Sequence, residues 1–546
     1  MSLPQIRDRS QSLEKNDKGV HVVEESEVDS LISDSSFNVF KDPVVAEHYR
    51  QVYEKSQYEC RHLFDPDFSW DEQEEKKITR KNDWYVTLWA LIMFIALDFD
   101  RSNISQALSD NMLGDLNLTT NDYNTGSTIN LVCFLSAELP SQLISKKIGP
   151  DIWVPMQLVL WSVVSIFQST ISTKAGFFVT RALLGLFQGG FICDVCLWLS
   201  YFYTSKELPL RMGIFYIANP LTTVLSSLLS LGLLKIRTDT IKHGWRWLFI
   251  IEGVMTLVVG FASFFKMPAS SVQTKTWFRK KGWYTDREEK ILVNKVLRDD
   301  PAKGDLNNRQ PVTIKELFKA LLDYDMAWIY ICRLLVDIGT SPVSSYLTLL
   351  LKHMGYSTSA TNALAIPYNA LIIFNLVLST YISQKYNFVA YIVASIPAWA
   401  IITLFPLRFW PNAQTDKWGT WVLLTIVLGY APSWPLTITW CSANSNSVRN
   451  RTVSAAVVNM FSQAAGIISA NIYRADDAPK YHTGNTILII IAFVSLVQVL
   501  CARQWFIYRN KQKDAAWNKM TKQEQEEYIK NSPDRGNKRL DFRFSY

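Results

Sequence analysis

The sequence predicts an all-α membrane protein in which about twelve helices cross the bilayer as two six-helix bundles. Of its 546 residues, 48% are hydrophobic and 13% are aromatic. The apolar residues are gathered into blocks of about 20, long enough to span a bilayer, and short polar or proline-containing segments separate the blocks. A soluble chain of this length would instead divide into domains of roughly 100 to 200 residues.

The predicted spans form an N-terminal and a C-terminal set. The first set lies at approximately 84–104, 124–146, 153–172, 177–200, 212–234 and 247–266. The second set lies at approximately 326–351, 361–382, 388–407, 419–440, 452–473 and 485–506. We therefore predict an N-terminal bundle over 81–268 and a C-terminal bundle over 326–507.

Three polar segments flank the bundles. Residues 1–80 are charged and lack an apolar leader, so we expect a mostly disordered cytosolic tail. The central loop, 269–325, contains Thr285-Asp286-Arg287-Glu288, a capping-box spacing that predicts a short amphipathic helix. Residues 508–546 form a charged cytosolic tail. Cationic loops beside an anionic leaflet explain the net charge of +7, which therefore indicates a lipid bilayer and no nucleic acid as partner.

The first span carries Asp98, Asp100 and Arg101 at the far end of an apolar run that begins at Trp84. At roughly 1.5 Å per residue, Asp98 lies about 21 Å along that helix, inside a hydrocarbon core about 30 Å thick. Charges at such depth usually face a protein interior or a water-filled path, so they predict function. The alternative is a helix that ends early and leaves these residues among the lipid headgroups.

The three charged residues differ in their helical neighbours. Asp98 and Arg101 share a face and can neutralise each other. Asp100 is rotated by about 200° from Asp98, so its neighbour is another helix or water. A carboxyl group removed from water and without a cation suits a reversible proton carrier. We predict Asp100 as the carrier and Asp98 as the second candidate, with hydrogen-bonded scaffolding as the alternative for both.

Arg101 and Arg181 are the predicted anion ligands. A guanidinium stays charged and offers two parallel hydrogen bonds to a carboxylate or a sulfonate. Arg181, Gly185 and Gln188 fall on one face of the fourth span. Gly185 and Gly189, four residues apart, predict close helix packing rather than a ligand role.

Two further acids lie in apolar runs. Glu138 precedes Pro140, which can bend the second span, and we keep Glu138 as a third candidate for proton coupling. Glu252 follows Trp247 by five residues, so we expect it only about 7 Å deep, where it reaches the interface or has a structural role at the bundle end.

Arg333 and Asp337, four residues apart in the seventh span, predict an internal ion pair or a gate. Cys193 and Cys196 form a C-x-x-C pattern with no further ligand beside it, so we predict small core residues and no metal site.

Several stretches match a known family. They are Asp100-Arg101-Ser102-Asn103-Ile104, Glu138-Leu139-Pro140-Ser141, Arg181-Ala182-Leu183-Leu184-Gly185, Gly244-Trp245-Arg246-Trp247-Leu248-Phe249-Ile250-Ile251-Glu252-Gly253 and Asp477-Ala478-Pro479-Lys480-Tyr481-His482-Thr483-Gly484. On these stretches the chain resembles the anion:cation symporters of the major facilitator superfamily, in particular the fungal allantoate permease-like branch.

The resemblance implies two helical bundles around a midplane site. It also implies proton-driven uptake of a small organic anion, such as allantoate, a vitamin carboxylate or a sulfur-containing acid. Asn103 would join Arg101, Arg181 and Gln188 at the substrate. We expect no cofactor besides the coupling proton, a monomer, and a plasma-membrane location with both termini cytosolic. The short loops do not support this orientation, which depends on the family layout.

The chain departs from the family in its fourth span. Many relatives carry an acid where this chain has Gln188, which puts a two-carboxylate proton relay in doubt and places the proton chemistry on Asp100. A proton-driven exporter is one alternative function, although the fifth span, with Asn219-Pro220, lacks the glycine-rich pattern of such exporters. A nutrient sensor that binds without net transport is another. We predict no enzyme, because the six histidines are scattered in tails and loops.

Overall fold

The computed structural model describes residues 39–546 except 42, 56–57, 205–206, 240, 305–313, 387, 414, 431, 446–447, 522, 526–527 and 529–535. Residues 1–38 of the predicted N-terminal tail therefore lie outside the described residues. All twelve predicted spans are helical in the structure, so the predicted all-α fold class is confirmed.

We number the spans in chain order and call spans 1–6 the N half and spans 7–12 the C half. Spans 1–6 are Leu88–Ser109, Thr120–Ile148, Pro150–Gln168, Lys174–Gln188 with Phe191–Ser200, Leu208–Tyr216 with Ala218–Leu233, and Gly244–Lys266. Spans 7–12 are Ala327–Ile338 with Ser341–His353, Thr358–Leu364 with Pro367–Tyr386, Val389–Phe409, Lys417–Leu428 with Ser433–Asn444, Val448–Ala470, and His482–Trp517.

Five spans, namely 4, 5, 7, 8 and 10, are each divided into two helices where the sequence predicts one. Span 4 divides at Gly189 and Gly190, and Gly190 has φ 87°, in the left-handed region that glycine adopts without strain. A side chain at Gly189 would stand 2.5 Å from the carbonyl oxygen of Phe134 in span 2. The break therefore lets span 4 pack closely on span 2, and it changes the direction in which later residues point.

Among the described residues, ten helical segments are long and apolar enough to cross a bilayer. Spans 1 and 2 are not among them. Span 1 carries Asp98, Asp100 and Arg101 within its length, and charges lower the apolar character of a helix most strongly. The two spans that do not meet this criterion thus carry five of the predicted site residues, namely Asp98, Asp100, Arg101, Asn103 and Glu138.

Each half packs around its own apolar core. In the N half, span 6 lies along spans 1 and 3, and span 2 lies along span 4. In the C half, span 9 lies along span 12, and span 7 lies along span 11. The halves meet where span 1 contacts span 7, span 2 contacts span 11, and span 5 contacts span 8.

The two ends of the molecule differ. We call the end that carries residues 39–82, 267–304 and 536–546 the tail side, and the end with the connections 110–119, 234–243, 354–357 and 471–481 the loop side. On the loop side one apolar cluster contains residues of both halves. On the tail side each half has a separate apolar cluster. The halves are therefore joined chiefly at the loop side.

The described residues between 39 and 80 contain two helices, so the prediction of a disordered tail is wrong for them. Helices Pro43–Lys55 and Glu72–Asn82 pack on helix Asp286–Asp299 of the central segment. The hydroxyl of Tyr53 donates to the carbonyl oxygen of Pro301 at 2.8 Å. The partners are more than 200 residues apart in sequence, which is why local composition misses this contact.

The remaining elements are short. The capping box predicted at Thr285 and Glu288 begins helix Asp286–Asp299. The other helices are Met112–Asp115 and Ile314–Leu321, with the 3-10 turns Val39–Lys41, Arg61–Leu63, Pro301–Gly304, Ala475–Asp477 and Gly536–Lys538 and the π turn Asp83–Thr87. The chain end packs on span 12, where buried Lys513 donates to the carbonyl oxygens of Asn537 at 2.6 Å and Arg539 at 2.9 Å.

Candidate functional site

Span 1 carries its charged residues in the body of the helix. The helix runs from Leu88 to Ser109 without a break, so Asp98 lies about eleven residues, or about 16 Å, from the loop-side end. Asp98 and Asp100 are both buried. The alternative of a helix that ends early, with these residues among the headgroups, is therefore wrong.

Asp98 and Arg101 point toward spans 5 and 2. The Nη1 atom of Arg101 lies 3.9 Å from Oδ1 of Asp98, a loose ion pair at the spacing that the sequence predicts. The amide of Asn219 in span 5 donates to Oδ2 of Asp98 at 3.1 Å. The guanidinium of Arg101 covers the ring of Phe134 in span 2 at 4.9 Å, and about a third of its side chain is exposed (34%).

Asp100 points into the N half instead. The hydroxyl of Ser165 in span 3 donates to its Oδ1 atom. Trp161 of span 3 and Thr256 of span 6 face the same carboxyl group. Its Oδ2 atom is buried and has no hydrogen-bond partner among the described residues. The predicted neighbour of Asp100, another helix, is thus span 3, and Asp98 and Asp100 occupy different environments.

Glu252 is fully buried, so the prediction that it reaches the interface is wrong. Span 6 begins at Gly244 rather than at Trp247, which places Glu252 eight residues, or about 12 Å, along the helix. The hydroxyl of Ser226 in span 5 donates to its Oε1 atom at 3.1 Å. Glu252 therefore faces the interior of the N half and interacts electrostatically with Asp100.

Arg181 in span 4 is a buried cation without an acidic partner within the described part of the chain. Only 6% of the residue is exposed, and its Nε and Nη1 atoms lack any hydrogen-bond acceptor there. Arg181 interacts electrostatically with two titratable groups, the Tyr123 hydroxyl and a second cation, Arg101. The amide of Asn130 holds the backbone by donating to the Arg181 carbonyl oxygen at 2.9 Å. The two predicted anion ligands, Arg101 and Arg181, therefore repel each other electrostatically.

The other predicted substrate residues are amides. Gln188 lies two turns after Arg181 and is buried, and its Nε2 atom has no acceptor in the described residues. Asn103 is fully buried, and neither its amide nitrogen nor its amide oxygen has a described partner. Because Asn103 follows Asp100 by three residues, it faces the N-half interior beside Asp100 rather than Arg101.

Span 4 contains an acid that the sequence reasoning overlooked. Asp194 is buried, and the hydroxyl of Ser141 in span 2 donates to its Oδ2 atom at 2.9 Å. The count of only two further acids in apolar runs, Glu138 and Glu252, is therefore wrong. The signal was available, because Asp194 interrupts the apolar run Phe191–Ser200 as Asp98 interrupts the first span.

Glu138 lies close to Asp194 and joins the two halves. Its Oε1 atom accepts a hydrogen bond from Cys193 at 3.2 Å and from the Asn459 amide of span 11 at 2.8 Å. Glu138 and Asp194 interact electrostatically. Nearby, the rings of Tyr216 in span 5 and Trp434 in span 10 lie 4.2 Å apart. These contacts connect the halves part-way along the spans.

Arg333 and Asp337 form the ion pair suggested by their spacing, with Nη2 and Oδ2 at 3.0 Å. Ser433 of span 10 donates to Asp337 at 2.6 Å, and Ser462 of span 11 donates to it at 2.8 Å. Arg333 donates to the same two hydroxyls at 2.8 and 2.9 Å. This network connects spans 7, 10 and 11 within the C half.

Tyrosine and asparagine side chains close the loop side. The Asn124 amide in span 2 donates to the carbonyl oxygen of Tyr473 at 2.6 Å, and the Tyr346 hydroxyl of span 7 bonds to the Asn124 amide oxygen. The ring of Tyr346 contacts that of Tyr123 at 5.5 Å. Tyr123 interacts electrostatically with Arg181. It thus belongs both to the surroundings of Arg181 and to the contact between the halves.

Comparison with known proteins fits this arrangement. Residues 90–470 match the sequence profile of the Major Facilitator Superfamily. The chain belongs to this superfamily. The uncharacterized transporter YIL166C of Saccharomyces cerevisiae is 44% identical over 521 residues, which cover 94% of this chain and 96% of that protein. The MFS-type transporter efuF of Hormonema carpetanum is 25% identical over 428 residues, which cover 78% of this chain and 84% of that protein. The chain is therefore a multi-pass membrane transporter, while the allantoate permease-like branch stays a prediction.

Solved structures share the fold of this superfamily member. A bacterial homologue of the human lysosomal transporter Spinster, in an inward-facing and occupied conformation, superposes with a TM-score of 0.58 at 13% identity, covering 77% of this chain and 96% of that one. A D-xylose-proton symporter has a TM-score of 0.57 at 13% identity, with 76% and 97% covered. At these identities the likeness shows the fold alone.

Proposed function

We propose that this transporter is a proton-coupled symporter of a small organic anion, a carboxylate or a sulfonate, which works by alternating access. Arg181 carries the proposal. A buried cation without a counter-charge is costly, and an anionic substrate would provide that charge. Arg101 adds a second guanidinium, which interacts electrostatically with the first, and a guanidinium pairs with a carboxylate or sulfonate through two parallel hydrogen bonds.

For the coupling ion we propose a proton carried by Asp100. Its carboxyl group is buried and accepts from Ser165, and no cation pairs with it among the described residues. Asp98 is the weaker candidate, because Arg101 and Asn219 already interact with it. Glu138 is the third candidate, since its bond to Asn459 lies between the halves and would change with its charge.

We further propose a plasma-membrane location with the tail side in the cytosol. The halves share an apolar cluster on the loop side and have separate clusters on the tail side. In this orientation the structure represents a state closed to the outside. Uptake would then require the Tyr346–Asn124 contact to open before the anion reaches Arg101 and Arg181.

The substrate site is tested by uptake in cells that lack related permeases. Labelled allantoate, a vitamin carboxylate and an alkyl sulfonate are offered separately. Hydrogen bonds to charged groups contribute about 1.5–3 kcal/mol, so Arg181→Gln should lower the apparent affinity by about tenfold to a hundredfold. Arg474→Gln, which changes an exposed loop-side arginine, is the matched control and should leave uptake unchanged. Equal uptake by wild type and Arg181→Gln would exclude Arg181 as the ligand.

Proton coupling is tested on the purified chain in vesicles with an imposed pH gradient. Acid outside should drive accumulation of the transported anion. Asp100→Asn should abolish accumulation and still allow exchange of internal for external anion, because exchange needs no net proton movement. If accumulation ignores the pH gradient, the coupling proposal fails. If Asp98→Asn rather than Asp100→Asn abolishes it, the role moves to Asp98.

A further inference from the structure

The interior of the N half contains a polar cluster separate from the two arginines. Asp100 of span 1 and Glu252 of span 6 are its two carboxyl groups, each at most 1% exposed. Span 3 contributes Ser165, which donates to Asp100, and span 5 contributes Ser226, which donates to Glu252 at 3.1 Å. Thr256 faces Asp100 from span 6. Groups from four spans therefore surround the two acids.

No cation neutralises these carboxyl groups within the described residues. Glu252 lies one turn before Thr256 on span 6, and Thr256 accepts a hydrogen bond at 2.8 Å from Ser162, which stands one turn before the Ser165 that donates to Asp100. The two carboxyl groups therefore lie at the same level of the N half, and the charge of Asp100 acts on Glu252. Span 3 contains one charged residue, Asp151, and span 5 contains one, Arg211, and both stand near the tail-side ends of their helices. The other charged residues of span 6, Arg246 and Lys266, lie at its two ends. On span 1, Arg101 points to the other side of the helix, next to Asp98.

Several polar atoms of this cluster are buried without a partner in the described chain. They are Oδ2 of Asp100, Oε2 of Glu252, Nε1 of Trp161 and both amide atoms of Asn103. Trp161 faces the Asp100 carboxyl group, although its N–H does not have the geometry of a direct hydrogen bond to it. Roughly 90% or more of buried polar groups in proteins have a partner, and ordered water provides it where protein atoms do not. The unpaired atoms thus indicate ordered water beside the two acids.

We propose that Asp100 and Glu252 form one proton-binding site, in which the two carboxyl groups share a proton and ordered water completes their hydrogen bonds. Two negative charges cannot coexist in an apolar interior without a cation, whereas one shared proton leaves a single negative charge. A second proton from water makes the site neutral, and its return to water restores the single charge. The site can therefore take up and release one proton without a state of charge −2.

This inference deepens the proposed function and rests on it in one respect, the role of Asp100 as the proton carrier. It adds Glu252 as the second member of the carrier. It also separates the routes, because Arg101 and Asp98 point away from the polar cluster of Asp100 and Glu252. Proton and anion would act on opposite sides of span 1, and movement of that helix would couple them.

The test is infrared difference spectroscopy of the full chain in lipid vesicles, without substrate, over a pH titration in H2O and D2O. Besides the titrations of the other buried acids, Asp98, Glu138 and Asp194, the wild type should show the carbonyl-stretch band of a protonated carboxylic acid at neutral pH, sensitive to deuterium and titrating in two separated steps. Asp100→Asn and Glu252→Gln should each replace these two steps by one, with a midpoint changed by about one pH unit or more, and leave the titrations of the other acids unchanged. Asp476→Asn, in an exposed loop, is the control and should change nothing.

Ser226→Ala keeps both carboxyl groups and removes one donor to Glu252, so it tests the site if the acid variants fail to fold. It should change the midpoint of one step and leave two steps. An unchanged titration in both Glu252→Gln and Ser226→Ala would overturn the shared site. Loss of the acid band on replacing choline chloride by sodium chloride would also overturn it, by showing a metal-cation site. These readouts need no transport, so they fail independently of the uptake experiments.

Discussion

Neighbouring residues of a helix point about 100° apart, and span 1 uses this to divide its charges between two environments. Asp98 and Arg101 pair toward spans 2 and 5, whereas Asp100 enters the interior of the N half. The spacing rules predict the first pair, because both partners lie on one helix. They do not predict the partners of Asp100 or Glu252, because Ser165 and Ser226 come from other spans.

The C-half ion pair permits a stability prediction. Arg333→Leu leaves Asp337 charged and half-enclosed between Ser433 and Ser462, and removal of one partner of a buried pair costs about 3–5 kcal/mol. We expect a clear fall in the thermal unfolding temperature of the detergent-purified chain. The double variant Arg333→Leu, Asp337→Leu should recover most of that loss. If the double variant is as unstable as Arg333→Leu, the loss of stability does not come from leaving the Asp337 carboxylate without its partner.

Helix packing in the N half depends on small residues where spans 2 and 4 meet. An added Cβ at Gly185 would stand 2.2 Å from the carbonyl oxygen of Asn130. At Gly189 it would stand 2.5 Å from that of Phe134. In both cases the obstacle is backbone, which cannot rotate aside. The close packing predicted from the spacing is therefore confirmed for Gly185 and Gly189.

Gly185→Ala should move span 4 away from span 2 and destabilise the N half by about 1–3 kcal/mol, the usual cost of overpacking. Arg181 lies on the displaced helix, so anion affinity should fall as well. Gly232→Ala in span 5 is the matched control, because nothing lies within 4 Å of an added Cβ there. Thermal unfolding of the two variants provides the comparison, and equal stability would contradict the packing argument.

The folded N-terminal helices are joined to the central segment by Glu74 and Arg287, which form two hydrogen bonds at 2.8 and 2.9 Å. The Arg287 hydrogen bonds lower the pKa of Glu74 from its ordinary 4.5 to about 2. Because the folded-state pKa is the lower one, the contact is fully present above pH 4.5 and is lost as pH falls toward 2.

Hydrogen exchange of residues 72–82 should therefore stay constant from neutral pH to about pH 4.5, after correction for the intrinsic exchange rate, and rise below it. In Glu74→Gln this pH dependence should weaken, since no charge remains to titrate. If protection from hydrogen exchange falls equally at low pH in the wild type and in Glu74→Gln, other carboxylates of the segment cause the change.

The two halves of the chain meet in two layers. The loop-side layer joins Asn124 to Tyr346 and Tyr473, and the deeper layer joins Glu138 to Asn459. Arg181 interacts electrostatically with Tyr123, which lies in the loop-side layer, and Glu138 belongs to the deeper layer. Movement of one half against the other would therefore change the surroundings of the proposed anion ligand and of a proton-coupling candidate together.

Orientation can be tested at Asn117, which begins the glycosylation sequon Asn117-Leu118-Thr119 and is exposed on the loop side. With the tail side in the cytosol, Asn117 should be glycosylated in a eukaryotic host, seen as a mobility shift that endoglycosidase and Asn117→Gln both remove. Met520→Thr creates a sequon at Asn518 on the tail side, which should stay unmodified. Modification of Asn518 without Asn117 would reverse the proposed orientation.

Hydropathy, charge position and helical spacing were enough to predict twelve helical spans and the Asp98–Arg101 and Arg333–Asp337 pairs. Each of these depends on residues close in sequence or on the cost of burying polar groups in lipid. Contacts between distant segments determined the rest: the folded residues 39–82, the inward direction of Glu252 and the unpaired guanidinium of Arg181. A single helix pattern gives the direction of a side chain but not which helix faces it, and that choice comes from packing all twelve spans together.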